Sequence, residues 1–489
     1  MKENKYRQPS IALSLVPIGA LIVMLFFTIL IFGGDALNGG SQIVLLIAAG
    51  IASLIGVYYC KITWHNIEHR IARNIFGIAP SILILLLIGS LAGTWMISGV
   101  VPTMIYYGLK IMHPDFFLMS CCILCCIVSV MTGSSWTTIA TIGIALVGIG
   151  EVQGFSMGWV AGAIISGAYF GDKMSPLSDT TVLAASVTDT PLFTHIRYMM
   201  YTTVPSITIA LIVYAIVGFV HKSADVVDVA EFSQALQDTF VISPWLFIVP
   251  VVTGIMIAKR IPSIVVLFTA SLLAAVFALI FQPHLLHEIA GMLEGGIIAK
   301  VKGVMMSFYG RTAVETGNEA LNALVSTKGM GGMLNTIWLI LCAMCLGGAL
   351  TASGMLISIT ELFTRFMKGR TSTVAGTVAS GLSLIICTAD QFIAIILNSE
   401  MFKEVYKKKG LESRLLSRAT EDSITVTSVL IPWTTCGMAQ STILGVATLT
   451  YLPYCIFNLV SPLMSILIAA LGYKIYQQKE TDTTEQSPA

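Results

Sequence analysis

The chain has little charge. Of its 489 residues, 11% are Asp, Glu, Lys or Arg and 56% are apolar, where a soluble globular chain carries roughly 25% charged residues. That leaves too little solvating surface for one soluble core of this length, and a mean hydropathy of +0.85 agrees. Net charge is lacking as well: 27 basic against 26 acidic residues leave +1, which gives no reason to expect nucleic acid as a partner. No G-x-x-x-x-G-K-[ST] phosphate loop occurs, and no polar stretch could house a nucleotide domain, which argues against ATP-driven transport. A small-residue cleavage site behind a short apolar stretch is also missing. Lys2, Lys5 and Arg7 instead precede an apolar run from Ile11 to Phe32, long enough to cross a hydrocarbon core of roughly 30 Å. Cysteine is not scarce, with ten residues. Cys121, Cys122, Cys125 and Cys126 fall inside an apolar run, however, where reduced thiols act as small packing residues.

What the chain does have is apolar length. Further runs lie at 42–60, 75–97, 116–150, 156–171, 198–220, 243–258, 262–281, 333–353, 372–402, 415–448 and 454–473. Those at 116–150 and 415–448 are too long for one span and are interrupted by Gly, Ser, Thr or Pro, as in helices broken at mid-membrane. The expectation is an all-α polytopic membrane protein, an inverted-repeat secondary transporter of roughly 11–14 membrane segments with broken helices. Two short pieces, 99–112 and 355–367, read as candidate re-entrant hairpins. Lys and Arg in short loops set orientation. The N-terminal group, Lys61, Arg70 and Arg73, Lys259 and Arg260, and Lys407 to Lys409 predict inside turns. Asp225, Asp228, Glu231 and Asp238 in the loop 221–240 suit the outside. Both termini then fall in the cytoplasm, with Arg365, Lys368 and Arg370 as the one basic cluster that disagrees.

An internal repeat is the most informative feature. Gly93 with Ser98-Gly99 matches Gly348 with Ser353-Gly354, and Thr132-Gly133-Ser134-Ser135 aligns with Thr388-Ala389-Asp390-Gln391, 256 residues later. Pro176 and Pro432 are also 256 residues apart. The chain therefore divides into N-terminal helices and a basic loop (1–74), a first copy (75–220), a connector (221–329), a second copy (330–475) and a polar tail (476–489). A unit with an odd number of crossings, repeated in one chain, must be inverted, as in alternating-access carriers.

In such carriers the substrate sits where the broken helices of the two copies meet. The first copy carries GDKMSPLSDTT at 171–181, with Asp172 and Asp179 flanking Pro176 and with Ser175, Ser178, Thr180 and Thr181 as hydroxyls. Carbonyls freed by proline, hydroxyls and carboxylates are the ligand set of a hard cation such as Na+. An intramembrane carboxylate is costly unless paired or protonated, so it is also a candidate proton carrier. The plainer alternative is a cytoplasmic loop in which Asp172 pairs with Lys173. Thr132, Ser134 and Ser135 supply hydroxyls without charge. Asp390 stands alone in a run that is apolar from Val374 to Leu397, as a site carboxylate or as a structural partner of Asn398. Thr434 and Thr435 follow Pro432, and Asp422 with Glu421 is either a helix cap or part of the site. Arg311, in a polar stretch, reads as a solvated loop residue before an anion clamp.

GTWMISGVVPTMIYYG (93–108), TGSSWTTIATIG (132–143), GDKMSPLSDTT (171–181) and EDSITVTSVLIPWTTCG (421–437) together resemble the NhaC family of Na+/H+ antiporters. The resemblance implies a carrier rather than an enzyme, located in a bacterial cytoplasmic membrane, serving pH homeostasis and needing no cofactor beyond the transported Na+ and H+. A homodimer is left open. It also implies that Asp172, Ser175, Ser178, Asp179 and Thr180 form the cation and proton site, with Asp390 and Thr388 opposite, and that Asp172, Asp179 and Asp390 supply the carboxylates. Relatives often carry Asn after Pro-Trp where this chain has Thr434, which removes an amide carbonyl from that set. Because the family also includes malate/lactate exchangers coupled to H+ and Na+, an organic-acid exchanger is the alternative reading.

Overall fold

The computed structural model describes residues 7–32, 39–220, 229–292, 296–317, 321–322 and 325–474. Lys2, Lys5, Asp225, Asp228 and the tail 476–489 lie outside the described residues. Within them the chain is an all-α membrane protein; Thr312 and Thr327 form an isolated β-type bridge. Among the described residues, nine helices are long and apolar enough to cross a membrane, or up to eleven with each of two bent helix pairs taken as one span, the lower edge of the expected range. Helices satisfy their own backbone groups, which is what a lipid-embedded chain requires.

The helices break where local chemistry allows it. Ala79–Ile97 ends at Ser98, Gly99 turns at φ +82°, and Val100–Ile111 follows. Leu334–Ala352, Ser353, Gly354 at φ +69° and Met355–Thr364 reproduce that sequence of elements. Farther on, Phe117–Thr132 stops at Gly133 with φ +68°, and Ser134 caps Ser135–Thr138. The matching Arg370–Thr388 stops at Ala389 with φ +57°, and Asp390 caps Gln391–Lys408. An alanine in this region is disfavoured, since Cβ crowds the following carbonyl. Pro205 inside Leu192–Val220 and Pro462 inside Ile456–Leu471 extend the correspondence to the last helix of each half.

Close backbone approach builds the first half. Phe117–Thr132 packs along Met157–Met174, and a Cβ on Gly167 would run into Cys122, while one on Gly171 would run into Ser129 and Val130. Small residues at helix contacts are how membrane helices gain van der Waals packing. The ten cysteines are all unpaired, eight of them buried.

The basic cluster that disagreed with the loop-charge pattern has a structural reason. Lys409 donates to the carbonyls of Met367 and Lys368, at 2.6 and 3.3 Å, and Arg370 donates to that of Ala469 at 3.2 Å. The Arg7 amide meets the Cys60 carbonyl at 3.2 Å, while Gln8 reaches Glu361. These contacts put Arg7, residues 365–370, Lys409 and the end of the last helix on a common face. Met355–Thr364 has only ten residues, about 15 Å of helix, so it cannot carry the chain across a membrane.

Candidate functional site

Met157–Met174 delivers Asp172 and Lys173 to the centre of the packed helices, both buried. The Asp172 carboxylate accepts from Ser135 Oγ at 2.6 Å and from Ser178 Oγ at 2.7 Å. Ser135 opens the short helix after the Gly133 break, and Ser178 precedes Asp179–Val187 after Pro176. Two independent helix interruptions of the first half therefore converge on one carboxylate. Ser178 also lies 3.0 Å from the Thr180 hydroxyl, and Thr181 bonds the carbonyls of Asp172 and Lys173 at 3.1 Å. Such hydrogen bonds stabilise the charged form of a buried carboxylate.

A cavity of about 450 Å³ reaches this carboxylate. Thr132, Ser134, Trp136, Asp172, Asp179 and Thr180 line it from the first half, and Gln391, Phe392 and Thr435 from the second. Arg260, Ile261 and Pro262 stand in its wall as well. The breaks of the second half meet beside it, since the Thr435 amide donates to the Ala389 carbonyl at 2.9 Å. Asp179 is exposed on this wall, whereas Asp172, also part of the lining, is buried.

The remaining sequence candidates occupy different places. Ser175 donates to the Val130 carbonyl at 2.9 Å and accepts from the Leu177 amide, so it shapes the turn without touching Asp172. Thr388 bonds the Leu384 and Asp390 carbonyls. Asp390 is buried and caps its helix by accepting from the Ile393 amide at 3.1 Å, one residue from the cavity-lining Gln391. Its suggested structural partner is otherwise engaged: Asn398 donates to Thr420 at 3.2 Å. Thr434 likewise caps Thr435–Leu444. Arg311 is exposed and outside the cavity lining.

Lys173 does not pair with Asp172. Its ammonium contacts Asp422 in an ion pair whose two side chains are both fully buried. Sequence reasoning placed Asp422 at a helix start or in the site; it lies near the end of Ser413–Ser423 and is held by Lys173. The signal available was position, because Lys173 ends a helix that is otherwise apolar from Met157 to Phe170. Asp422 stood out in the sequence too, but nothing there paired it with Lys173, 249 residues away. Arg418 is also fully buried, its guanidinium 4.5 Å from the Tyr198 ring centre.

The profile of the Na+/H+ antiporter family matches residues 167–473, well over half of the chain. The chain belongs to the Na+/H+ antiporter family. Among similar proteins is the malate-2H+/Na+-lactate antiporter of Bacillus subtilis (strain 168), 35% identical over 90% of this chain and 91% of its own. The Na+/H+ antiporter NhaC of Alkalihalophilus pseudofirmus is 33% identical over 94% and 96% of the two chains. The arginine/ornithine antiporter ArcD of Halobacterium salinarum is 31% identical over 98% and 96%. Membership in this antiporter family makes the chain a transporter.

Proposed function

We propose that this antiporter exchanges Na+ for H+ across a bacterial cytoplasmic membrane, with Asp172 as the shared binding group. The observation that carries the reading is the Asp172 carboxylate, held by Ser135 and Ser178 behind a cavity lined by both halves. In the ionised state it offers a hard cation one charged oxygen group with hydroxyls at hand, the donor set that suits Na+. Protonated, it is neutral and needs no counter-ion. A bare buried carboxylate is disfavoured, so the group holds either a proton or a cation while the chain reorients. That exclusion makes the exchange obligatory.

The matching breaks at Gly133 and Ala389 support reading 75–220 and 330–475 as inverted repeats that rock about this centre. The shared face of Arg7, residues 365–370 and Lys409 is the cytoplasmic side under the positive-inside rule, with both termini there. Asp179 and Thr180 guide the ion through the cavity, and Asp390 caps the opposing break.

A second reading has one observation in its favour. The cavity, about 450 Å³ with Arg260 in its wall, exceeds what a bare ion needs and would admit a small organic acid. Purified protein in liposomes separates the two. A Na+ gradient imposed without organic acid moves protons under the first reading, and moves none until malate or lactate is supplied under the second.

A further inference from the structure

A second set of oxygens surrounds Asp422, and a cation already sits in it. Asp422 Oδ1 accepts from Ser461 Oγ at 2.9 Å and from Thr202 Oγ1 at 3.2 Å. The Lys173 ammonium contacts the same oxygen and donates to Ser461 Oγ at 3.1 Å. The second oxygen of Asp422 is buried and has no hydrogen-bond partner among the described residues. Four helices contribute: Met157–Met174, Leu192–Val220, Ser413–Ser423 and Ile456–Leu471.

The likeness to the first site is chemical. Asp172 is met by two hydroxyls, from Ser135 and Ser178; Asp422 is met by two hydroxyls, from Ser461 and Thr202. One carboxylate with two hydroxyls is a hard-cation donor set in both cases. The difference is that Lys173 fills one of them with a covalently tethered charge. Replacing a buried ion pair by well-packed apolar residues is often no less stable, so stability alone does not account for this pair.

We propose that Asp422, Ser461 and Thr202 form a second monovalent-cation site, and that the Lys173 ammonium is its built-in competitor. With the ammonium in place, Asp172 is the one of these two carboxylates left for Na+, so Lys173 keeps Asp422 from holding a second ion. The site is independent of which reading of transport holds, but the choice of Na+ as its ion rests on the exchange reading.

The test is Na+ binding to the full-length protein in detergent, measured by equilibrium dialysis with radioactive Na+. The wild type is expected to bind about one Na+ per chain. Lys173→Met keeps the side-chain length without the charge and is expected to bind about two, while Lys173→Met with Asp422→Asn returns to about one. Where the Met variant is unstable, NaCl should raise its melting temperature, relative to choline chloride, by more than it raises that of the double variant, because Na+ at Asp172 stabilises both and only the single variant offers Na+ the place of the missing ammonium. Equal Na+ binding in the single and double variants, or equal stabilisation of the two by Na+, overturns the proposal. A wild type that binds no Na+ overturns the exchange reading instead, so the two failures are told apart.

Discussion

Lys173 follows Asp172 in the chain yet turns away from it, and pairs with Asp422 across 249 residues. On a helix, consecutive side chains point about 100° apart. That rotation gives Asp172 the hydroxyls and the cavity, and gives Lys173 the fully buried face where Asp422 lies. The consequence is one carboxylate free to bind an ion and one whose charge is already balanced.

Asp172→Asn keeps the size and hydrogen bonding of the side chain but cannot exchange a cation for a proton. Na+-evoked acidification or alkalinisation in proteoliposomes should fall to background, with the melting temperature close to wild type. Persisting exchange in the folded variant would remove Asp172 from the centre of the mechanism.

Ser135→Ala and Ser178→Ala each delete one hydrogen bond to the Asp172 carboxylate. A buried hydrogen bond to a charged group contributes about 1.5–3 kcal/mol, which corresponds to roughly a tenfold or greater loss in apparent Na+ affinity. The two hydroxyls meet the two oxygens of one carboxylate, so the double variant should lose less than the two single losses combined. Titrating exchange rate against Na+ for the four proteins measures both effects. Unchanged affinity in either single variant would mean that its hydroxyl serves folding alone.

The pH dependence has a definite sign. Protons and Na+ occupy the same carboxylate, so lowering the pH fills it with protons and raises the Na+ concentration needed for half-saturation. Raising the pH lowers that concentration until the proton no longer competes, after which it levels off. Half-saturation measured from pH 6 to 9 should fall and then flatten; a value independent of pH would assign the two ions to separate sites.

Gly171 stands where Met157–Met174 crosses the backbone of Ser129 and Val130. An added methyl must push the helices apart, at a cost of about 1–3 kcal/mol. Because Asp172 is the next residue, Gly171→Ala should lower both the melting temperature and the Na+ affinity. Gly254, inside a helix with open space around it, is the control: Gly254→Ala should leave Na+ affinity unchanged and should not lower the melting temperature.

Asp390 tests whether the second break contributes a charge. Its carboxylate caps the Ile393 amide, and Asn caps nearly as well, whereas Ala loses about 1 kcal/mol. As a cap, Asp390→Asn should retain both stability and turnover, and Asp390→Ala should lose stability first. Transport per folded molecule, measured beside thermal stability, decides; impaired turnover in a stable Asn variant would make the carboxylate part of the ion path.

The sequence by itself determined that the chain lives in a membrane, because 56% of its residues are apolar and 11% are charged, too few to solvate one soluble core. It also marked the helix breaks, since Gly99, Gly133 and Gly354 permit the left-handed turns found there, and a 256-residue offset pointed to Ala389 as the partner of Gly133. Asp172 was legible as a carboxylate amid hydroxyls and proline. Which hydroxyls it meets was decided only by tertiary structure: Ser135 arrives from a helix 37 residues upstream, while Ser175, three residues away, bonds a carbonyl instead. The same holds for Lys173, Asp422, Thr202 and Ser461, which come from four helices and share no local pattern. Sequence spacing records neighbours along one helix, whereas a buried charge selects its partners through space, where water cannot take their place.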